Sequence, residues 1–188
     1  GVIGQMMEKV VLPEQRPRLT NEEVMARCPW ATFGKLKHRG PNIVTSLELD
    51  PAEMEKRNIH LQQKYAEIEE KEVRYEEIHC DDAEYLIVAF GSCARIAQKA
   101  MEEARAEGIK VGLLRPITLW PFPSKAIAER SRQVKGILTV ELNAGQMVED
   151  VRLAVNGRVP VEFYGRMGGI VPSPDEVLRA LKEKVLGK

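Results

Sequence analysis

The sequence predicts an α/β fold over residues 83–188, a three-layer sandwich around a mainly parallel sheet, preceded by an irregular linker and a long amphipathic helix. Three observations predict it. From Ala83 onward, strand-like and helix-like segments alternate at regular intervals, the pattern of consecutive βα units. The segments YLIVAF from Tyr85 and GILTV from Gly136 are continuously apolar rather than alternating, as a sheet covered on both faces requires. Cap and turn residues such as Asn156-Gly157 and Ser173-Pro174 stand where the period changes.

Residues 1–12 begin GVIGQMMEKV, with no initiator Met, no basic leader and no small-residue cleavage site, and read as the end of an upstream domain. Residues 13–50 are polar and broken by Pro13, Pro17, Pro29, Gly34, Gly40 and Pro41, so they form a linker without long periodic elements. Within it Cys28, Trp30, Phe33 and Leu36 are too apolar for a free tether. They are expected to pack on a neighbouring domain or on the chain's own helix.

Residues 51–82 hold a long helix and a connection. The helical pattern runs from Asp50 to Ile78, with Asp50 as N-cap, Pro51 at the first position and Glu53 three residues after the cap. Met54, Leu61, Tyr65, Ile68 and Tyr75 follow one another at spacings of 7, 4, 3 and 7, a narrow apolar stripe on a charged helix. The stripe is a candidate interface, either with the following domain or with a partner subunit. A coiled coil is disfavoured by its short length and by Asn58 and Glu72 on the seam.

Beyond Ala83 the reading is strand YLIVAF, turn GSC, then helix ARIAQKAMEEARAEG with Ile96, Ala97, Ala100, Met101 and Ala104 on one face. KVGLLRPI is a second strand, TLWPFP a turn, and SKAIAERSRQVKG a helix with Ser124 as its cap. GILTVEL is a third strand, and NAGQMVEDVRLAVNG a helix closed by Asn156-Gly157. VPVEFYGR is a fourth strand, GGIVPSP a loop, and PDEVLRALKEKVLGK a final helix capped by Ser173.

Several function classes are disfavoured. Lys+Arg and Asp+Glu both total 28, so no net field draws the chain to nucleic acid or an anionic membrane. The longest apolar run is far shorter than the roughly 20 residues of a membrane-spanning helix. Cys28, Cys80 and Cys93 are widely spaced, with no CxxC pair for zinc or an iron–sulfur cluster, and read as free thiols of a reducing, cytoplasmic compartment. The fingerprints GxGxxG and GxxxxGK[ST] are absent, as is the acidic pair of a phosphoacceptor module.

Ligands of parallel sheets bind beyond the carboxyl ends of the strands. Those ends carry Gly91-Ser92-Cys93, Arg115-Pro116, Asn143 to Gln146, and Arg166 to Gly169. Ser92, Arg115, Asn143, Gln146 and Arg166 are therefore candidates for binding an anion or a partner. Cys93 opens a helix, where the dipole lowers a thiol's pKa; simple packing at the turn is the stronger reading. His38, His60 and His79 are isolated, and Glu141 ends a strand as an acid would, but without an assignable partner. A short echo, GQMME at 4–8 and GQMVE at 145–149, is compatible with two related α/β domains in a parent chain or with chance.

The segments YLIVAFGSCARIAQKA, VGLLRPITLWPFP, ILTVELNAGQMVEDVRLAV and EFYGRMGGIVPSPDEV resemble, in that order, the α subunit of 2-oxoacid:ferredoxin oxidoreductases. The likeness is greatest to the branched-chain type that acts on 2-oxoisovalerate (3-methyl-2-oxobutanoate). It covers nearly the whole chain. The resemblance implies a transketolase C-terminal-domain-like fold over 83–188 and a role in subunit packing and support of the active-site walls. It implies thiamine diphosphate, Mg and iron–sulfur clusters for the whole enzyme, with β and γ/δ subunits, ferredoxin and coenzyme A as partners. In the family the activating glutamate lies on an N-terminal domain and the diphosphate grip on another subunit. No catalytic, cofactor-binding or metal-binding residue is therefore carried over to a position here. The alternative is a stand-alone binding or regulatory module that recognises an anion or a protein at the strand-end edge. The 2-oxoacid itself is not set by this domain type.

Overall fold

The computed structural model describes residues 11–31, 40–43 and 45–187. They divide into two compact units, with the boundary in the chain between His60 and Leu61.

In the first unit, α1 (Asn21–Arg27) is a short helix with a reciprocal capping box. The Thr20 hydroxyl accepts from the Glu23 N–H at 3.2 Å, and the Glu23 carboxylate accepts from the Thr20 N–H at 2.8 Å. Trp30 is exposed and Cys28 half-buried. Phe33, Leu36, His38 and the GQMME segment lie outside the described residues. The long helix α2 (Pro51–Lys71) starts as its sequence predicts. Asp50 Oδ1 accepts from the N–H groups of Ala52 and Glu53 at 2.8 and 3.1 Å.

The second unit departs from expectation at the helix end. α2 stops at Lys71, and residues expected to continue it form the strand β1 (Tyr75–Ile78). Tyr75 therefore leaves the helical stripe. The physical reason is tertiary: β1 pairs antiparallel with β3 (Val111–Pro116), Glu76 opposite Arg115 and Ile78 opposite Leu113, and covers a sheet edge that would otherwise expose unpaired amides. Two arginines pin it. Arg130 makes a bidentate pair with Glu77 at 2.9 and 2.6 Å and reaches Asp81 at 3.0 Å. Arg105 pairs with Asp82 and donates to the carbonyls of His79 and Val111.

β2 (Tyr85–Ala89), β4 (Ile137–Glu141) and β5 (Val161–Gly165) complete a five-stranded sheet of order β1-β3-β2-β4-β5, parallel except at β1. α3 (Gly91–Ala106) and α6 (Pro174–Ala180) cover one face. There Ala97, Ala100, Met101 and Leu181 pack on Ile87, Leu113, Leu138 and Val140. α4 (Ser124–Arg130) and α5 (Met147–Val155) belong to the other face, where Ile127, Met147, Val151 and Val155 cluster with Leu86, Val88, Leu114 and Ile137. The three-layer α/β sandwich with its mainly parallel sheet is thus observed. Alternation along β2 sends Leu86 and Val88 to one core and Ile87 and Ala89 to the other.

The caps follow the sequence with one exception. Asn156 adopts the left-handed conformation that closes α5, and Ser173 forms a capping box with Glu176. Ser124 is instead the first residue of α4, with Pro123 at the cap and no side-chain cap bond. α6 continues as a π-helical segment, Leu181–Leu186. Among the described residues no helix is long and apolar enough to cross a membrane.

Candidate functional site

The connections leaving β2 and β4 go to opposite faces of the sheet, through α3 and α5. The crevice between the carboxyl ends of these neighbouring strands is the topological switch point, the usual ligand position of an open parallel sheet. On its β2 side the chain turns through Gly91, with φ of +56°, a conformation that glycine reaches without steric cost. Ser92 and Cys93 follow on the first turn of α3.

On its β4 side stands Glu141, fully buried at the last position of the strand. Its carboxylate accepts from the backbone N–H groups of Met147 at 2.9 Å, Val148 at 3.0 Å and Gln146 at 3.3 Å. The Asn143 amide adds a fourth donor at 3.0 Å. These amides are the free donors at the start of α5, the groups that would receive an external anion. Glu141 takes that place from within the chain. Burial of a carboxylate is costly unless donors surround it, and all four of its partners are donors.

The loop between β4 and α5 is built to hold this arrangement. Asn143 Oδ1 accepts from the Gly145 N–H at 2.7 Å, a local turn that aims the following amides back at Glu141. The Arg166 N–H donates to the Glu141 carbonyl at 3.2 Å, so the end of β5 is tied to the same residue. At Gly165 a Cβ would collide with the Asn143 carbonyl and the Phe163 ring; the close approach of the two loops requires glycine.

The five candidates from the sequence all lie at or near this edge but have different surroundings. Arg115 pairs with Glu76 of the edge strand at 3.0 Å. Arg166 lies 3.4 Å from Glu176. The Asn143 side chain is spent on Glu141 and Gly145, and Gln146 gives its N–H to Glu141. Ser92 is half-buried. Cys93 is buried, and its thiol is pushed up to about 11 by burial and by the negative Glu141, so the packing reading holds over the reactive one. Sequence reasoning noted Glu141 as an acid without a partner; its partners are backbone amides, whose direction no residue type encodes.

A second feature was read only as a turn. The loop TLWPFP, with the C-terminal part of α2, the start of β1 and α5, encloses an open groove of about 930 Å³. Trp120 stands at its wall, 55% exposed, edge-on to Tyr65 with ring centroids 5.6 Å apart. Of the stripe on α2, Leu61 and Tyr65 are exposed, Met54 and Ile68 half-buried, and none is buried.

Comparison with known proteins accords with this picture. The pyruvate:ferredoxin oxidoreductase core domain II family matches residues 83–177. The ketoisovalerate oxidoreductase subunit VorB of Methanothermobacter thermautotrophicus is 47% identical over 183 residues, 97% of this chain and 50% of that protein. The chain thus spans about half the length of this curated relative. Among solved structures, a 2-oxoglutarate:ferredoxin oxidoreductase from Magnetococcus marinus, with 2-oxoglutarate, coenzyme A and succinyl-CoA bound, superposes with a TM-score of 0.64 at 21% identity. That match covers 79% of this chain and 27% of the other. A split-gene transketolase, an inactive β4 tetramer, gives a TM-score of 0.52 at 19% identity over 60% of this chain and 41% of its own. Both structures share the fold. A buried α/β core with four parallel strands, together with the family match across it, makes the conclusion direct: the chain belongs to the pyruvate:ferredoxin oxidoreductase core domain II family.

Proposed function

We propose that this chain is the C-terminal, transketolase-like part of the α subunit of a thiamine diphosphate-dependent 2-oxoacid:ferredoxin oxidoreductase, and that it serves assembly and the support of active-site walls. The parent enzyme would convert a branched-chain 2-oxoacid to its acyl-CoA in the cytoplasm, with β and γ/δ subunits and with ferredoxin and coenzyme A as partners. The substrate class rests on the ketoisovalerate relative, whose likeness runs along nearly the whole chain. In this reading residues 83–188 are the C-terminal domain, 51–82 its helical approach, 13–50 the linker and 1–12 the end of the preceding domain.

One observation carries the assembly role: Glu141 occupies the anion-receiving amides at the switch point. The described residues do not fit the family's cofactors. The amides that would meet a diphosphate are taken, and no group of three His, Cys, Asp or Glu side chains among the described residues stands ready for a metal. The stand-alone binding module has less support, because the side chains of Arg115, Asn143 and Arg166 are engaged within the domain.

The purified multi-subunit enzyme should oxidise 3-methyl-2-oxobutanoate in preference to 2-oxoglutarate. Glu141→Gln in that enzyme should lower its thermal stability while leaving the affinity for thiamine diphosphate unchanged in calorimetry. A weakened cofactor affinity at full assembly would overturn the structural role, and a preference for 2-oxoglutarate would overturn the substrate class.

A further inference from the structure

We propose that the groove beside Trp120 is the docking site for a segment of another subunit that presents an apolar side chain flanked by lysine or arginine. The proposal rests on the assembly role argued above and names the chemistry of the partner. The apolar half of the case is the groove's lining. Trp120, Tyr75 and Leu153 are 55%, 43% and 80% exposed around it, and Pro121, Phe122 and Pro123 line the same volume. Exposed Trp and Tyr beside a concave surface are the residues that most often anchor a protein interface.

The charged half is more selective. Glu69, Glu70 and Asp150 line the same groove, with Lys125 as the one cation among its described lining residues. None of the four takes part in an ion pair among the described residues. Several carboxylates elsewhere on this domain are matched, Glu76 with Arg115, Glu77 with Arg130, Asp82 with Arg105, Glu84 with Lys135, Glu107 with Lys182 and Glu176 with Arg166. The groove therefore sets three carboxylates against one lysine next to exposed aromatic surface. A basic segment is complementary to it, and the same groove on a second copy would bring like charges together.

The test uses the intact multi-subunit enzyme. Hydroxyl-radical footprinting should protect Trp120 by about tenfold or more relative to the urea-unfolded enzyme, whereas an indole left 55% exposed gives only about twofold. Carbodiimide coupling should join Glu69, Glu70 or Asp150 to lysines of a different subunit. Reversing two rim charges, Glu69→Lys with Asp150→Lys, should weaken that association by roughly tenfold and steepen its loss with salt less than in the parent. An intact enzyme in which Trp120 shows only the twofold protection overturns the groove and leaves the assembly role standing. So do cross-links that run only within the chain or to a second copy. A chain that purifies without any other subunit overturns both.

Discussion

At the carboxyl edge of the sheet Glu141 meets four donors inside the domain, whereas beside Trp120 Glu69, Glu70 and Asp150 pair with no cation among the described residues. Both regions are acidic, and burial separates them. A carboxylate out of water must find its donors within the fold, so the chain around Glu141 is shaped to supply them, and the amides at the start of α5 are occupied from within. Carboxylates on an open rim are solvated and need nothing from the fold, which leaves them available to a partner. At the switch point the α5 amides hold a carboxylate of the chain itself, whereas the acids beside Trp120 line an open groove.

The sharpest way to break this comparison is to remove the internal anion. Glu141→Ala should destabilise the domain by about 3 kcal/mol or more, because a cavity and several unsatisfied amides remain, and urea denaturation measures it. A loss under about 1 kcal/mol would mean that water serves those amides as well as Glu141 does. Next in size is Gly165→Ala, expected to cost about 1–3 kcal/mol, since its methyl group meets the Asn143 carbonyl and the Phe163 ring; an unchanged urea midpoint would show that the two loops can part freely.

Acidification probes the exposed pairs. The Ser173 N–H, then the arginines nearby, hold Glu176 below the usual carboxylate range. Hydrogen bonds from Arg105 and Lys135 do the same for Asp82 and Glu84. With folded values below unfolded ones, the unfolded chain binds more protons as the pH falls. Stability from these pairs is therefore complete above the ordinary carboxylate range and is lost as pH drops through the depressed values. Urea midpoints taken from neutrality to about pH 3 should fall, and Glu176→Gln should flatten the slope. The smallest effect is expected at Thr139, whose buried hydroxyl has no hydrogen-bond partner among the described residues. Thr139→Val keeps the shape and removes an unsatisfied group, so thermal unfolding should show no loss and a gain of up to about 1 kcal/mol.

Much of this was legible from residue order alone. The alternation from Ala83, the continuous apolar strands and the caps at Asp50, Asn156 and Ser173 are all local, and each survives in the fold. The family motifs were legible for the same reason, being contiguous runs such as LLRPITLWPFP and VELNAGQM. Ser124 and the end of α2 were not, since proline geometry at 123 and sheet pairing at 75–78 override the local pattern.

The sequence by itself determined the period of each segment and hence the α/β class, because periodicity acts over three or four residues and needs no partner. Only the tertiary structure decided that residues 75–78 leave the helix to cover β3, where Glu76 meets Arg115 across 39 positions. It likewise decided that Glu141 turns inward onto the start of α5, and that Trp120 stands beside Tyr65 with three acids lining the same groove. These outcomes depend on backbone amides and distant surfaces being brought together, which residue identity does not encode until the sheet has formed.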